Sequence, residues 1–457
     1  MQRLLSAFLI ILMGTALSQA QETQPVQRIT LQDAIDIALE NNFQLKQAEN
    51  NLQQAKNNET REYADYLPSL NGNFSGSINQ GQQFIPEIFQ FGNFTSRNLR
   101  GSISSNMTVF SGFNNILTLR SSQNTRLSAE ENLKRQRETV IFNAASNFLN
   151  VILNESLLEI ARENLVTSEK QLEQIEAQVD VGTRPVVDLY NQEATVANNE
   201  LQVTNSENQL NLSKVILIRQ LQIDPLGNYE FVIPEFEAVE EEVAVKNFDL
   251  SQLVQEAMIT RADIKSAEYN IKSQEFQMLT AKWAFLPTIS VNGTISSSYS
   301  DQSRDPVSRE SVSFSEQFFD RQITKGAGFS IQVPLFTRLQ TRTNFLNSKI
   351  AYKNAKLNLE NTQLQAVQEL TQAYNDYVGF TKELESSRKA LIATEKAFES
   401  EQERYNVGAS TLIELSQAQA SYVQAQSDYT RSIYNLIFQE QLLDFFIGKL
   451  DEMIVLK

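Results

Sequence analysis

The residue types that most often carry chemistry are scarce in this chain, which contains no histidine and no cysteine. Disulfides, thiol nucleophiles, imidazole acid–base catalysis and almost every common zinc site are therefore excluded. The remaining candidates are 55 carboxylates and 39 basic side chains, and the formal net charge of -16 disfavours binding to nucleic acid. We predict no catalytic residue, no cofactor, no metal site and no enzymatic activity.

The densest carboxylate run is Glu240-Glu241-Glu242. Such a run could bind a cation, but it is more typical of a solvated acidic face, and we assign no chemistry to it. It lies in residues 222–247, where Pro225, Gly227 and Pro234 indicate a linker or small side structure.

Two glycine turns organise the long elements, Val181-Gly182-Thr183 and Val407-Gly408-Ala409. They are 226 residues apart (408 − 182), and the same shift superimposes apolar residues that recur every seventh position. The first set is Val151, Leu158, Leu165, Leu172, Val179, Leu189, Val196, Val203, Leu210 and Leu217, matched by Tyr377, Leu384, Leu391, Phe398, Tyr405, Leu415, Tyr422, Tyr429, Leu436 and Leu443. An apolar repeat of seven residues that is sustained over this many turns specifies supercoiled helices, and glycine is favoured where a helix ends in the left-handed conformation. The sequence predicts a duplicated, largely coiled-coil chain.

The amino terminus has the pattern of a secretory signal peptide, residues 1–20. Arg3 precedes an apolar run from Leu4 to Leu17, and Ser18-Gln19-Ala20 fits a cleavage site. A membrane-spanning start is the alternative, but the run is shorter than the roughly 18 apolar residues that a spanning helix needs. Because no cysteine follows, we expect no lipidated amino terminus.

The sequence predicts one helix over residues 31–66, which ends at Leu67-Pro68, and another over 250–285, which ends at Leu286-Pro287. After each Leu-Pro pair, apolar residues recur at every second position, as in a strand. We predict strands at about 69–79, 98–110, 288–299 and 326–335, joined by outward-facing loops at 80–97 and 300–324. One face is apolar and the other small and polar, with Arg100 as its one charge. This length and pattern suit tilted strands that cross a bilayer. The alternative is a half-buried soluble sheet, which predicts more charge on its wet face.

Four strands cannot close a barrel, and unpaired edges are not tolerated in hydrocarbon. We therefore expect the barrel to be shared between subunits, with two copies as a minimum and three giving twelve strands. A helix predicted over 114–181 is about 100 Å long and is expected to project away from the membrane, with a return helix over 185–221.

These patterns divide the chain into consecutive segments. They are a signal peptide (1–20), a first structural repeat (21–221), a linker (222–247), a second structural repeat (248–450) and a carboxy-terminal tail (451–457).

The ordered set of motifs resembles the TolC-like outer membrane factors, or outer membrane efflux proteins, over essentially the whole mature chain. The resemblance rests on the helix–strand–strand–helix order and the two Leu-Pro pairs. It also rests on Gln178-Val-Asp-Val-Gly182-Thr-Arg184…Asp188 and Arg404-Tyr405-Asn-Val-Gly408…Glu414-Leu-Ser-Gln417-Ala-Gln419. It implies a mainly α fold with a membrane β-barrel portion: a homotrimer whose 12-stranded barrel in the Gram-negative outer membrane continues into a long periplasmic α-helical barrel.

The same resemblance implies roles for residues near the turns. Glu414 would form a cation-attracting ring at the periplasmic entrance, Tyr405 would help to close it, and the two turns, Val181, Gly182, Thr183, Val407, Gly408 and Ala409, would dock a periplasmic adaptor. The family often has a second acid where this chain has Gln417, so milder selectivity is expected. It also frequently has an arginine where this chain has Ser410. Arg184 and Asp188 remain in the first copy, and a closed-state link from Glu414 or Asp188 to Arg184 is a hypothesis. The alternative for each residue is an ordinary polar group on a helix tip.

The resulting interpretation is a passive exit duct of a tripartite efflux pump or type I secretion system, served by an adaptor and an inner-membrane pump and surrounded by outer membrane lipid. The alternative is a periplasmic coiled-coil structural or adhesive protein without a pore. The exported substrate is left open, since the polar lumen suits drugs, metal ions and polypeptides.

Overall fold

The computed structural model describes residues 26–85, 89–232 and 245–450. The predicted signal peptide, the predicted tail, the Glu240-Glu241-Glu242 run and much of the predicted linker lie outside these residues.

Two series of helices of equal length form most of the described chain. The first is α1 (Leu31–Asn41), α2 (Phe43–Ala64), α3 (Asn114–Asp180) and α4 (Val186–Leu221), and the second is α5 (Leu250–Thr260), α6 (Ala262–Trp283), α8 (Gln340–Asn406) and α9 (Leu412–Ile447). Their lengths are 11, 22, 67 and 36 residues in both series. The predicted duplication is therefore present element by element.

The strands and one short helix complete the architecture. The strands are β1 (Gln27–Ile29), β2 (Ser69–Ile85), β3 (Gln90–Ser111), β4 (Tyr229–Phe231), β5 (Thr288–Ser300) and β6 (Thr324–Gln332). The short helix α7 (Phe314–Glu316) continues into one π-helical turn, Gln317–Arg321, between β5 and β6. None of the helices in the described ranges combines the length and apolarity needed to cross a membrane.

Each of the two single helices predicted before the strands is in fact a pair of helices. The first breaks at Asn42, whose Oδ1 accepts a hydrogen bond of 2.9 Å from the Leu45 amide and so caps α2. The second breaks at Arg261, which is 3% exposed and donates to Glu369 at 3.0 Å. Neither position carries the Pro or Gly that marks a break in sequence, so the periodicity continued through both.

The chain forms two compact units that both draw on each repeat. Of the described residues, the helical unit comprises 26–47, 134–232, 245–261 and 365–450, and the sheet unit comprises 48–85, 89–133 and 262–364. The duplication along the sequence therefore does not correspond to two separately folded halves.

The predicted heptad residues supply part of the core of the helical unit. Buried members include Val151, Leu158, Leu210, Leu217, Tyr377, Leu415, Tyr429, Leu436 and Leu443. One cluster joins Leu370, Ala373 and Tyr377 of α8 to Leu436 and Leu443 of α9. β1 and β4 form a small parallel pair in the same unit.

The sheet unit contains an antiparallel sheet in the order β2-β3-β5-β6. Directly paired residues share a face, so the register can be followed across the strands. Ile103 pairs with Gly72 and Ile295, while Val291 pairs with Met107 and Phe329. Large apolar residues of all four strands thus fall on one face, as the alternation predicted, except that a bulge at Val109 places Phe110 opposite Ile289; Lys325 shares this face opposite Ile295. In the single chain many of these apolar residues are exposed: Leu70, Phe74, Ile78, Ile103, Met107, Val291, Ile295, Phe329 and Ile331.

The predicted loop at 80–97 is wrong. β2 and β3 remain paired from Ser69 with Asn106 to Ile85 with Gln90, so most of this segment is a long hairpin. Backbone hydrogen bonds hold it without apolar alternation, which is why a period of two was not visible there. β6 also differs from its predicted range of 326–335, since it begins at Thr324 and ends at Gln332.

Candidate functional site at the paired helix tips

The candidate site lies where α3 turns into α4 and α8 turns into α9. We name residues 178–188 the first tip turn and residues 404–414 the second tip turn. Both belong to the helical unit. Gly182 and Gly408 each have φ 75°, in the left-handed region where a side chain is disfavoured.

The two tip turns have the same backbone hydrogen bonds. In the first, the Gly182 amide donates to Val179 O at 2.9 Å and the Thr183 amide donates to Gln178 O at 2.9 Å. In the second, Gly408 donates to Tyr405 O at 3.0 Å and Ala409 donates to Arg404 O at 2.7 Å. This pair of backbone hydrogen bonds is the Schellman motif, which satisfies the last carbonyls of a helix. The predicted glycine helix ends are therefore present at both positions.

An apolar cluster joins the two tip turns. Ile175 of α3, Tyr405 of α8, and Leu412 and Leu415 of α9 are buried together, with Val179, Leu189 and Phe398 packed against them. The heptad residues therefore hold the four helix ends side by side. The side chains of Val181 and Val407 are 73% and 80% exposed. Each turn thus presents an apolar residue at its apex.

Arg184 lies at the centre of the site and connects the two turns. Its guanidinium lies 4.1 Å above the Tyr405 ring centroid, and its Nε donates to Gln178 Oε1 at 2.9 Å. Nη2 donates to Tyr405 O at 3.5 Å, and Nη1 lies 3.7 Å from Asp188 Oδ2. The structure therefore brings together three of the predicted residues, Arg184, Asp188 and Tyr405.

Tyr405 is buried, and its hydroxyl has no hydrogen-bond partner within the described part of the chain. Burial raises the pKa of Tyr405 above its ordinary value; Arg184 opposes this effect and Asp188 adds to it. The phenol is therefore neutral, and its ring serves as an uncharged face for the guanidinium.

Glu414 makes a different set of contacts from the one proposed from sequence. Its carboxylate accepts hydrogen bonds from the Thr411 amide at 2.9 Å, from Ser410 Oγ at 2.9 Å and from Thr411 Oγ1 at 3.1 Å. Thr411 Oγ1 accepts in turn from the Glu414 amide at 3.2 Å, which completes a capping box at the start of α9. These hydrogen bonds, with that from the Thr411 amide contributing most, lower the pKa of Glu414.

Within the single chain Arg184 therefore pairs with Asp188, whereas Glu414 is held by its own helix cap. The physical reason is that a cap three residues away offers Glu414 three donors at no conformational cost. The closed-state role of either link stays a prediction. The spacing Thr411-Leu-Ile-Glu414 is a capping-box signature and could have been recognised in the sequence.

Sequence reasoning also missed the role of Glu401. It pairs with Arg404 at 2.8 Å and contacts Ser410 Oγ, whose single O–H is shared between Glu401 and Glu414, while Arg404 donates to Ala409 O at 3.2 Å. The sequence signal was the spacing of Glu401 three residues before Arg404 in the last helical turn. An acid and an arginine at this spacing can form an ion pair, and a basic side chain there can donate to the unpaired carbonyls at the helix end. Gln178 is likewise a partner that its position alone did not reveal.

The comparisons with known proteins agree with this architecture. The sequence profile of the family described as "Outer membrane efflux protein" matches residues 34–221 and 253–449. The chain is 21% identical to the "Probable outer membrane lipoprotein SilC" of Salmonella typhimurium, over 69% of this chain and 64% of that protein. It is 22% identical to the "Cation efflux system protein CusC" of Escherichia coli (strain K12), over 85% of this chain and 79% of that protein.

Among solved structures, the CmeC outer membrane channel of Campylobacter jejuni matches with a TM-score of 0.78 and 18% identity, covering 93% of this chain and 87% of that one. The predicted fold class is thereby confirmed. This chain covers just under two thirds of SilC, and more of the other two proteins.

Proposed function

The chain belongs to the outer membrane efflux protein family, and from this premise we propose that it is the exit duct of a tripartite efflux pump or type I secretion system. It performs no reaction and binds no cofactor in this role. Its sheet lies in the outer membrane of a Gram-negative cell and its helical part in the periplasm. Substrate passes through passively, and an inner-membrane pump supplies the energy.

The observation that carries this proposal is that the sheet has large apolar residues on one face and small polar residues on the other. The register puts the large apolar residues of all four strands on one face, where the single chain leaves them exposed. The other face carries small polar side chains such as Asn73, Ser102 and Ser296. A lipid-facing exterior and a wet interior require this arrangement.

The edges of the sheet support an assembly of several copies. β2 and β6 are the terminal strands, and each has a partner on one side only. Unpaired backbone groups cost several kcal/mol each in hydrocarbon, so β6 of one copy is expected to pair with β2 of the next. Three copies give twelve strands, enough to enclose an open lumen.

The two tip turns are the surfaces that we propose for docking a periplasmic adaptor. Val181, Gly182 and Thr183 form one docking turn, and Val407, Gly408 and Ala409 form the other. Both apices are exposed and apolar, and the Cβ positions of both glycines face open space. An exposed apolar residue on a rigid turn suits insertion into a partner's groove.

The proposed gate consists of Arg184, Asp188 and Tyr405, which contact one another. Beside them, the Glu414 residues of three copies would form a ring of negative charge. Like charges from three copies, close together behind low-dielectric walls, would attract cations. Because the Glu414 carboxylate accepts three hydrogen bonds in its cap, its position is fixed and its charge persists in mild acid.

The alternative, a periplasmic coiled-coil protein without a pore, is not favoured. It does not account for the exposed apolar face of the sheet, and it is not the function described for the matching family. A soluble coiled coil would also leave the membrane fraction on a salt wash.

Reconstitution into a planar lipid bilayer tests the proposal. Purified full-length chain is expected to give stepwise conductance with a preference for cations. Correctly assembled oligomer that inserts into the bilayer but gives no conductance steps would contradict the duct.

A further inference from the structure

One segment of the sheet unit has no role in the duct as described so far. It is the stretch Ser313–Arg321 between β5 and β6, formed by α7 and the π-helical turn. We name it the aromatic clasp. It contains Phe314, Phe318 and Phe319, which contact one another with ring centroids 5.3 to 6.0 Å apart.

The clasp is fixed to the outer end of β5 by a buried amide. Gln317 is 2% exposed. Its Nε2 donates to Ser300 O at 3.1 Å, and its Oε1 accepts from the Ser300 amide at 3.1 Å. The side chain thus satisfies both backbone groups of Ser300, as a neighbouring strand would. Ser297 Oγ adds a hydrogen bond of 2.5 Å to Phe318 O.

The clasp lies on the apolar face of the sheet. A Cβ built at Gly101 would lie 2.9 Å from Phe318 Cζ and 2.8 Å from Phe74 Cε1, so the Phe318 ring occupies space that only a glycine leaves free. Phe314 packs edge-on against Tyr299 with centroids 5.3 Å apart. Gly101, Phe74 and Tyr299 share the face that the strand register assigns to lipid.

The position of the clasp along the strands corresponds to one boundary of a bilayer. Ile289 and Tyr299 are ten residues apart on β5 (299 − 289), about 33 Å along the strand. At the tilt of 35–45° of a membrane strand this spans about 23 to 27 Å, the height of the apolar band of a membrane barrel. At the inner end, Phe113 and Trp283 form a second aromatic pair, 6.2 Å apart.

The exposed surface of the clasp combines aromatic rings with charged groups that are paired with one another. Phe314 is 42% exposed and Phe319 is 61% exposed. Beside them, Arg321 pairs with Asp305 at 2.7 Å and with Glu316 at 2.5 Å. Aromatic rings bordered by polar groups are typical of the zone between acyl chains and headgroups.

We propose that the aromatic clasp is an interfacial anchor: Phe314 and Phe319 insert into the outer leaflet at the boundary between acyl chains and headgroups, and they fix the depth of the sheet. The clasp is continuous with the apolar face that meets the acyl chains, which identifies lipid as its partner. The inference rests on the proposed function, because it requires the sheet to lie in a membrane.

Depth-dependent fluorescence quenching tests the anchor. Trp283 is the one tryptophan of the chain, so Trp283→Phe gives a background without tryptophan. Phe319→Trp in this background reports the clasp. Phe329→Trp is the matched reporter on the same apolar face, because Phe329 is 75% exposed and lies on β6 away from the clasp. The full-length variants are reconstituted into phosphatidylcholine vesicles brominated at a shallow or a deep acyl position.

For Phe319→Trp we expect blue-shifted emission and quenching at least about twofold stronger from the shallow bromines. For Phe329→Trp, which pairs with Val291 inside the apolar band, the ratio of shallow to deep quenching should be lower. Quenching of Phe319→Trp by aqueous iodide alone, with Phe329→Trp still quenched by lipid, would overturn the anchor and leave the barrel intact. If lipid quenches neither reporter, the sheet is not in the membrane, and both proposals fail. Phe314→Trp is a second clasp reporter should Phe319→Trp not assemble.

Discussion

A shift of 226 residues places Arg184 on Ser410, Gln178 on Arg404, Pro185 on Thr411 and Asp188 on Glu414. The two tip turns so compared have the same glycine conformation and the same pair of backbone hydrogen bonds. Their side chains act differently, because the cation of the first turn reaches across to Tyr405, whereas the cation of the second stays on its own turn with Glu401 and Ala409.

The start of the following helix differs as well. Pro185 precedes α4 without a side-chain hydrogen bond, whereas Thr411 and Glu414 form a full capping box on α9. The second turn is thus stabilised locally, and the first depends on the second. The two repeats thus have equal backbones at their tips, and in the gate that we propose the first turn acts as a latch and the second as its fixed support.

The largest expected effect comes from making the first turn resemble the second. Arg184→Ser removes the contact with the Tyr405 ring and the ion pair with Asp188, together worth about 1 to 2 kcal/mol for partly exposed groups. We expect the closed arrangement to weaken roughly five- to thirtyfold and single-channel conductance in planar bilayers to rise.

The reciprocal exchange, Arg404→Gln, is the matched control, because it removes only contacts within the second turn. A similar rise in conductance in both variants would show that the turns are equivalent. If conductance does not rise in Arg184→Ser, the contacts of Arg184 do not hold the channel closed.

Replacement of either glycine tests the equality of the two backbones. Gly182→Ala and Gly408→Ala each place a side chain at φ 75°, where the neighbouring space is open and the penalty is the left-handed conformation itself, about 1 kcal/mol. Hydrogen–deuterium exchange should accelerate about fivefold in amides of the altered turn. Unequal acceleration in the two variants would contradict a shared backbone.

Loss of the second helix cap should have a local effect. Thr411→Ala removes the hydroxyl from the capping box, at a cost of about 1 kcal/mol, so amides at the start of α9 should exchange roughly fivefold faster. Thr183→Ala is the comparison in the first turn: it places there the residue type of Ala409, keeps the backbone hydrogen bonds of the Schellman motif and removes only the hydrogen bond from Thr183 Oγ1 to Gln178 O. Equal acceleration in both turns would mean that the cap does not distinguish them.

The smallest expected change concerns Glu414→Gln, which should reduce cation selectivity modestly, because Gln417 provides no second acid. The pKa of Glu414 is lowered, so its charge persists from neutral pH through the ordinary carboxylate range near 4.5 and is lost only as pH falls through the lowered value. Reversal potentials in a salt gradient should therefore stay constant between about pH 7 and pH 5. A marked loss of selectivity within that window would exclude Glu414 as its source.

The periodic parts of the fold could be predicted from the sequence because the heptad residues and the alternating strands repeat a physical constraint many times. Single events without a repeat could not. Asn42 and Arg261 break helices through particular buried side chains, and the hairpin over 80–97 is paired through its backbone. At the candidate site the glycine turns were predictable, and the capping box could have been.

The stack of Arg184 on Tyr405 joins residues 221 positions apart (405 − 184), so it depends on how two hairpins pack and not on local sequence. The aromatic clasp was missed for a similar reason. The role of Gln317 exists only because its side-chain amide reaches both backbone groups of Ser300.

The open edges of the sheet have a consequence for biogenesis. A lone copy that entered the bilayer would expose the outward backbone groups of the nine-residue strand β6 to hydrocarbon, at several kcal/mol for each unsatisfied group. Ring closure must therefore precede or accompany insertion, which makes the rate of delivery to the outer membrane rise more steeply than in proportion to the supply of unassembled chains. An incomplete ring would carry the same cost at each open edge, so its insertion is disfavoured until the ring has closed.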